Sequence, residues 1–380
     1  MDRIKRTAAA IVVFSGMLCL AACADKASVS DSSAAEESPA VAGEVTVYSS
    51  EEELAEESGG TIDSALDLEP AAFTMLFAGD VYLQDNITAA YDADGLSGIL
   101  SEDLQEEFSA ADLVMVNEEF PFGTGGEPAE DKQYTFRVDP SYVTILQEMG
   151  VDIVSLANNH VLDYGQDVLS QTFETLDAAE IAYVGAGESI ERAKDWVSYE
   201  FGTTSVAVLC ASRVIPVIDW DVRNSQPGVF TTYDETLLVE QIEAAKEEND
   251  LVVVYVHWGV EKSDEPEDYQ RQLAESYIDA GADLVVGAHP HVLQGIEYYE
   301  GVPIVYSLGN FMFHETIDST ALLKVTVEDG ELSLALVAAK ASDSQTYALE
   351  GDAAQEVLSY IESISFDVQI GEDGTVSPAQ

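Results

Sequence analysis

Six short apolar runs between Phe73 and Phe311 constrain the fold of this chain more than any other feature. They read FTMLFAGD, ADLVMVNEE, VDIVSLANNH, LVVVYVHWGVE, DLVVGAHPHV and VPIVYSLGNF. Each is of strand length, rich in Val, Ile and Leu, and apolar on consecutive residues, as a strand covered on both faces must be. Between them lie helical stretches such as PSYVTILQEMG, DVLSQTFETLDAA and DYQRQLAESYIDAG. This alternation implies an α/β domain with largely parallel, buried strands. Further on, TALLKVTVEDGELSLALVAAK reads as a hairpin turning at Asp329 and Gly330. The last forty residues read as one weak amphipathic helix, AAQEVLSYIESI, and a polar tail.

Every run ends on polar residues. The first ends at Asp80, the second at Asn117, Glu118 and Glu119, and the third at Asn158, Asn159 and His160. The fourth reaches His257 and Glu261, the fifth His289 and His291, and the last Asn310. Polar groups at the end of an apolar strand are costly unless each finds a partner. In open α/β sheets ligands bind beyond the carboxyl ends of the strands. The chain has five histidines, and four of them (His160, His257, His289 and His291) sit at these ends. Imidazole nitrogens mixed with carboxylate and amide oxygens suit one or two first-row divalent ions, Mn, Fe or Zn. Thiolate is absent from the set, which argues against a structural zinc knot. In an extended segment the side chains of His289 and His291 would project to one side, with Pro290 stiffening the backbone.

The amino terminus predicts an address. MDRIKR is a short basic segment, and TAAAIVVFSGMLCLAA is an apolar stretch short for a membrane span. It ends in LAAC, which resembles the lipobox of bacterial lipoproteins, so cleavage before Cys23 and lipidation of Cys23 are expected. That would leave Cys210 as the one free thiol, and no disulfide framework is expected. Residues 24–70 hold 13 acids, one lysine and almost no aromatics, a composition that supports no core and reads as a disordered tether. Over the whole chain, 72 acidic against 15 basic residues give a formal net charge of -57. Such a field repels nucleic acid, and no nucleic-acid partner is expected.

Taken in series, AGDV, NEEFP, YTFRVDP, SLANNHVLDYG, HWGVE, GAHPHV and YSLGNF resemble the CapA family of capsule and poly-γ-glutamate biosynthesis proteins. The resemblance implies a metallophosphatase-like (calcineurin-like) layered α/β/β/α sandwich, a single domain after the signal peptide and tether. The implied organisation is a signal peptide over 1–22, lipidated Cys23 and tether over 23–70, a CapA-type domain over 71–340, and a C-terminal helix and tail over 341–380. It further implies Asp80, Glu119, Asn159, His257, His289 and His291 as metal ligands, with His160 contacting the scissile group. Two departures stand out. Metallophosphatases place a His two residues after the first Asp, where this chain has Tyr82, which puts a second metal in doubt. Glu118 and Glu119 are adjacent in a strand, so one of them alone can face a metal; the family register favours Glu119, with Glu118 toward solvent.

Asp163, three residues beyond His160, is placed either to accept from its ring N–H or to cap the helix that follows. Arg137, one of few basic residues, is expected either to grip a carboxylate or phosphate at the site or to pair with a neighbouring acid. Glu261 is expected either to orient water or receive a substrate amine, or to lie on the surface. The expected protein is an extracytoplasmic lipoprotein held at the cell membrane by its lipid. It would act in capsule or poly-γ-glutamate biosynthesis through a metal-dependent, hydrolase-like site, with anionic polymer or capsule synthase components as partners. The alternatives are a metal-dependent phosphoesterase or hydrolase of envelope polymers, and a non-catalytic subunit that binds polymer or synthase.

Overall fold

The computed structural model describes residues 72–379 apart from residue 225 and residues 314 and 315. The expected signal peptide, Cys23 and tether lie outside the described residues. Among those described, no helix is long and apolar enough to cross a membrane.

Two sheets form the centre. In the first, Phe73–Val81 runs parallel to Leu113–Glu118, which is followed by Ile153–Ser155 and Ala182–Val184, again parallel. On its other side Phe73–Val81 pairs antiparallel with Ile317–Glu328. That strand and Glu331–Ser342 form the expected hairpin, turning through Asp329 at φ 53° and Gly330 at φ 82°. Positive φ at both central residues is what the right-handed twist of a two-residue hairpin requires. The second sheet has the order Ile296–Tyr299, Val302–Val305, Leu284–Ala288, Leu251–His257, Thr204–Ser212, Val197–Phe201. Its four inner strands are mutually parallel.

Alternation along each strand assigns the layers. In Leu113–Glu118, Leu113 and Met115 enter the core between the sheets, where they join Val206, Val208, Val253 and Tyr255 of the second sheet. Val114 and Val116 face a separate core that contains Leu104, Ile145, Leu169 and Phe173 of the helices Glu102–Ala110, Val143–Met149 and Gln166–Ala178. Val252 and Val254 pack outward against Leu238, Ile242, Ala274 and Tyr277 of Thr236–Glu248 and Asp268–Asp279. The result is the α/β/β/α sandwich.

Two segments depart from expectation. The run VPIVYSLGNF is two strands: Val302–Val305 lies in the second sheet, and Asn310–Met312 pairs in parallel with Phe73–Val81 in the first. The chain crosses between sheets through Gly309, at φ 67°, whose carbonyl accepts from Asp80 N at 2.9 Å. Gly79 permits this approach, since a Cβ there would stand 1.9 Å from Gly309 O. Beyond the expected helix, Gly351–Ser363, the polar tail is two further strands, Val368–Ile370 and Thr375–Pro378, on the edge of the first sheet. Each contributes one valine, Val368 or Val376, to the core between the sheets. Alternation over three or four residues is too brief to read as a period.

Asp152 shows how the parallel register is fixed: its Oδ2 accepts from Val114 N at 2.8 Å, joining neighbouring strands at their starts. Burial lifts its pKa to about 6 against the backbone bond that opposes the shift. A carboxyl whose folded pKa is raised holds its proton in the folded state at pH values where the unfolded chain has lost it. Stability is therefore full below about pH 4 and falls as pH rises through 6. Asp152→Asn keeps an acceptor and removes the charge. Urea melts should show a gain of about 1–3 kcal/mol at pH 7.5 that vanishes at pH 4. Equal differences at the two pH values would contradict this.

Candidate metal centre

The polar strand ends meet at the carboxyl edge where the sheets face each other. Asp80, from the first strand, accepts from Asn117 Nδ2 at 2.7 Å, and Asn117 Nδ2 also lies 3.3 Å from His257 Nδ1 of the second sheet. His257 Nε2 reaches Asn159 Oδ1 at 2.9 Å and stands 3.6 Å from Glu119 Oε1. His291 Nδ1 is 2.8 Å from Asn310 Oδ1, 3.4 Å from Asp80 Oδ2 and 3.7 Å from Glu119 Oε2. The rings of His257 and His289 lie 4.6 Å apart, and those of His289 and His291 5.7 Å. All six expected ligands are thus in one cluster.

Glu119, His289 and His291 offer ligand atoms within 4.8 Å of one another. Both Glu119 oxygens and His289 Nδ1 are buried with no hydrogen-bond partner. Isolated groups of this kind would be costly, and a shared divalent cation satisfies all three at once. The donor set fits such an ion. Burial drives the Glu119 carboxyl well above the usual carboxylate range. His291 is pulled down by burial, but Glu119 and Asp80 outweigh that and lift it to about 10. Burial instead takes His289 down to about 3 and His257 far below the ordinary imidazole value. His291 therefore retains its proton in the metal-free cluster at neutral pH, and a metal must displace it. Calorimetric titration with Mn or Zn in buffers of different ionisation enthalpy should show proton release, with apparent affinity rising from pH 6 to 8. Uptake without proton release would contradict the assignment.

His160 stands beside this trio, with a different set of partners. Its Nδ1 lies 2.7 Å from Asp163 Oδ2 and 2.9 Å from Lys132 Nζ, and its ring stacks on Phe136 with centroids 3.9 Å apart. Lys132 also donates to Asp163 Oδ1 and to Asn159 O, and Asp163 Oδ2 accepts from Phe136 N at 2.6 Å. Burial lowers the His160 pKa to about 4 even though Asp163 opposes it, so the ring is neutral at pH 7. Asp163 caps nothing: the helix Gln166–Ala178 begins after Gly165 with no side-chain cap. Asn158 holds the loop, donating to Asn117 Oδ1 at 3.2 Å and Glu118 O at 2.7 Å while accepting from His160 N at 3.0 Å.

Three expectations are corrected. His289 and His291 do converge, but not through an extended backbone: both have positive φ, 98° and 58°. Such conformations are strained for non-glycine residues and gather at functional sites. Glu118 is fully buried, not solvent-facing, and neither of its oxygens has a partner. Arg137 does not enter the cluster. Phe136 and Val138 point inward around it, so Arg137 is exposed, bonded to Gly125 O and stacked on the Tyr164 ring at 4.1 Å. The cation that does enter is Lys132, five residues upstream on the same connection. Glu261 is exposed. Tyr82 stacks on Phe136 at 4.0 Å, which in turn covers His160.

The sequence matches the family model described as Bacterial capsule synthesis protein PGA_cap over residues 74–315. It is 34% identical over 241 residues to the PGA biosynthesis protein CapA of Bacillus subtilis, covering 63% of each chain. It is 38% identical over 189 residues to the capsule biosynthesis protein CapA of Bacillus anthracis, covering 49% of this chain and 46% of that one. The chain therefore spans less than two thirds of the length of either relative. Among solved structures, a hypothetical protein from Thermus thermophilus aligns with 71% of this chain and 100% of its own, at 16% identity and a TM-score of 0.45. The sulfate thiohydrolase SoxB of that genus aligns with 73% of this chain and 45% of its own, at 17% identity and a TM-score of 0.37. Similarity that low carries nothing about function. The match over residues 74–315 spans every residue of the candidate metal cluster, and the chain belongs to the bacterial capsule synthesis protein family.

Proposed function

We propose that this chain is a metal-dependent, hydrolase-like protein of capsule or poly-γ-glutamate biosynthesis, held outside the cell membrane by a lipid on Cys23. The observation that carries the reading is the buried Glu119–His289–His291 cluster, with unsatisfied ligand atoms, beside the His160–Asp163 pair. Asp80, Asn159 and His257 complete the set that would hold one or two ions. A bound divalent ion supplies Lewis-acid polarisation and lowers the pKa of water. The protein's own groups do the rest. His160, buried and neutral at rest, is oriented by Asp163 and Lys132; having taken up a proton from water it passes that proton to a leaving group, or it stabilises developing negative charge. Phe136 and Tyr82 wall off one face of that ring. The names of the Bacillus relatives support a capsule polymer as the setting; polymer and synthase components are the partners this reading proposes. A net charge of -57 repels a polyanion, so a local cation is what makes contact with one feasible.

Protein purified without chelator should carry about one or two Mn, Fe or Zn per chain. It should cleave γ-glutamyl amides or phosphodiesters, and which of the two decides between the polymer and phosphoester readings. Metal-free protein inactive on both, even after reconstitution, would overturn the hydrolase reading and leave polymer or synthase binding.

A further inference from the structure

Arg213 follows the strand Thr204–Ser212, and its backbone N–H donates to His257 O at 2.8 Å, which anchors it directly beside the metal centre. Its guanidinium lies 4.4 Å from the centroid of the Tyr233 ring and 5.5 Å from that of Tyr269. Both rings are fixed through their hydroxyls: Tyr233 accepts from Ile215 N at 3.3 Å, and Tyr269 from Gly259 N at 2.7 Å. The Arg213 Nη1 is buried and has no hydrogen-bond partner. The other arginines among the described residues each bond an oxygen: Arg137 that of Gly125, Arg192 that of Tyr183, Arg223 that of Asp221 and Arg271 that of Glu297. In a chain with 72 acids, an arginine that forms no ion pair with Asp234 or Glu235, which line the same cavity, does not lack a carboxylate for want of supply. A buried donor without an acceptor calls for an absent one.

We propose that the cavity of about 470 Å³ in front of Arg213 is a carboxylate-binding subsite. A planar guanidinium offers parallel N–H groups to a planar anion, and the Tyr233 and Tyr269 rings flank this one. Thr236 lines the same cavity and opens the helix Thr236–Glu248, whose positive end favours an anion. Asp234 and Glu235 also line it, and they repel a dianion about twice as strongly as a single carboxylate. Asp234 is already engaged with Thr236 N at 3.1 Å. A carboxylate, not a phosphate, is therefore the anion that fits. The subsite stands whether or not the metal centre cleaves anything.

The test is calorimetric titration of the full chain with a capped γ-glutamyl trimer, with its side-chain amide counterpart, with glutarate and with inorganic phosphate. The trimer should bind, and the amide counterpart should bind about 10- to 100-fold more weakly. Arg213→Gln should lose the same factor with metal content and melting temperature unchanged, and Arg213→Lys should not restore it. Glutarate matching the trimer assigns the subsite to small free acids; a stronger trimer assigns it to a polymer segment. Equal binding of acid and amide, wild-type binding by Arg213→Gln, or tighter binding of phosphate than of carboxylate overturns the proposal. None of these readouts requires turnover, so their failure leaves the hydrolase reading intact, and an inactive protein leaves the titration valid.

Discussion

Glu119→Gln is expected to lose about 100-fold or more in affinity for a divalent ion, because replacing even a residue behind the ligands costs 10–100-fold. Glu119 stands among the candidate ligands themselves, with both oxygens buried and without a hydrogen-bond partner. The same substitution should have the opposite effect without metal. Burial already drives the Glu119 carboxyl toward its neutral form, and Gln supplies a neutral group of the same shape. Metal-free Glu119→Gln should therefore melt at or above the metal-free wild type. With ion present at about 1,000 times the wild-type dissociation constant, wild type gains about 4 kcal/mol and a 100-fold weaker variant about 1.4 kcal/mol. Elemental analysis together with melting curves with and without Mn or Zn reads both effects. A variant with wild-type metal content and a wild-type metal-dependent shift would remove Glu119 from the ligand set.

The residues of the cluster were legible because each sits where an apolar run stops. Asp80, Asn159, His257 and His289 interrupt Val, Ile and Leu, and the position of a polar residue at a strand's end survives without any knowledge of distances. The path of the backbone was not legible. An extended HPH segment and the observed left-handed one both bring His289 and His291 together, and only the second requires φ values of 98° and 58°. Lys132 was missed because it lies in a connection of no period, among acids and glycines, and nothing local distinguishes it from Arg137. What separates them is the fold: Asp163 and His160 form a receptor for one ammonium, and Lys132 is the cation that reaches it. Glu118 shows the reverse. Adjacency predicted correctly that it and Glu119 would part, but a strand covered on both faces sends the rejected carboxylate into apolar core instead of water. Asn117 and Asn310 carry no charge, and what ties them to the cluster is that the ring nitrogens of His257 and His291 lie within bonding distance.

His160→Ala is expected to lower turnover by about 10²–10⁴-fold while metal content stays at the wild-type level. The separation of those two readouts follows from geometry. Glu119, His289 and His291 converge without His160, whereas His160 is held by Asp163, Lys132 and Phe136. Truncating it leaves Asp163 paired with Lys132 and with Phe136 N, so no buried charge is orphaned, and the fold loses mainly the stacked ring. A structural role would therefore appear as a lower melting temperature with residual activity in proportion to folded protein. A role in proton delivery would appear as folded, metal-loaded, inactive protein. Substrates with better leaving groups sharpen the distinction, because a leaving group that needs no proton should recover most of the lost rate in His160→Ala. Uniform loss across leaving groups would assign His160 to charge stabilisation, and activity within tenfold of wild type on all of them would remove it from the chemistry.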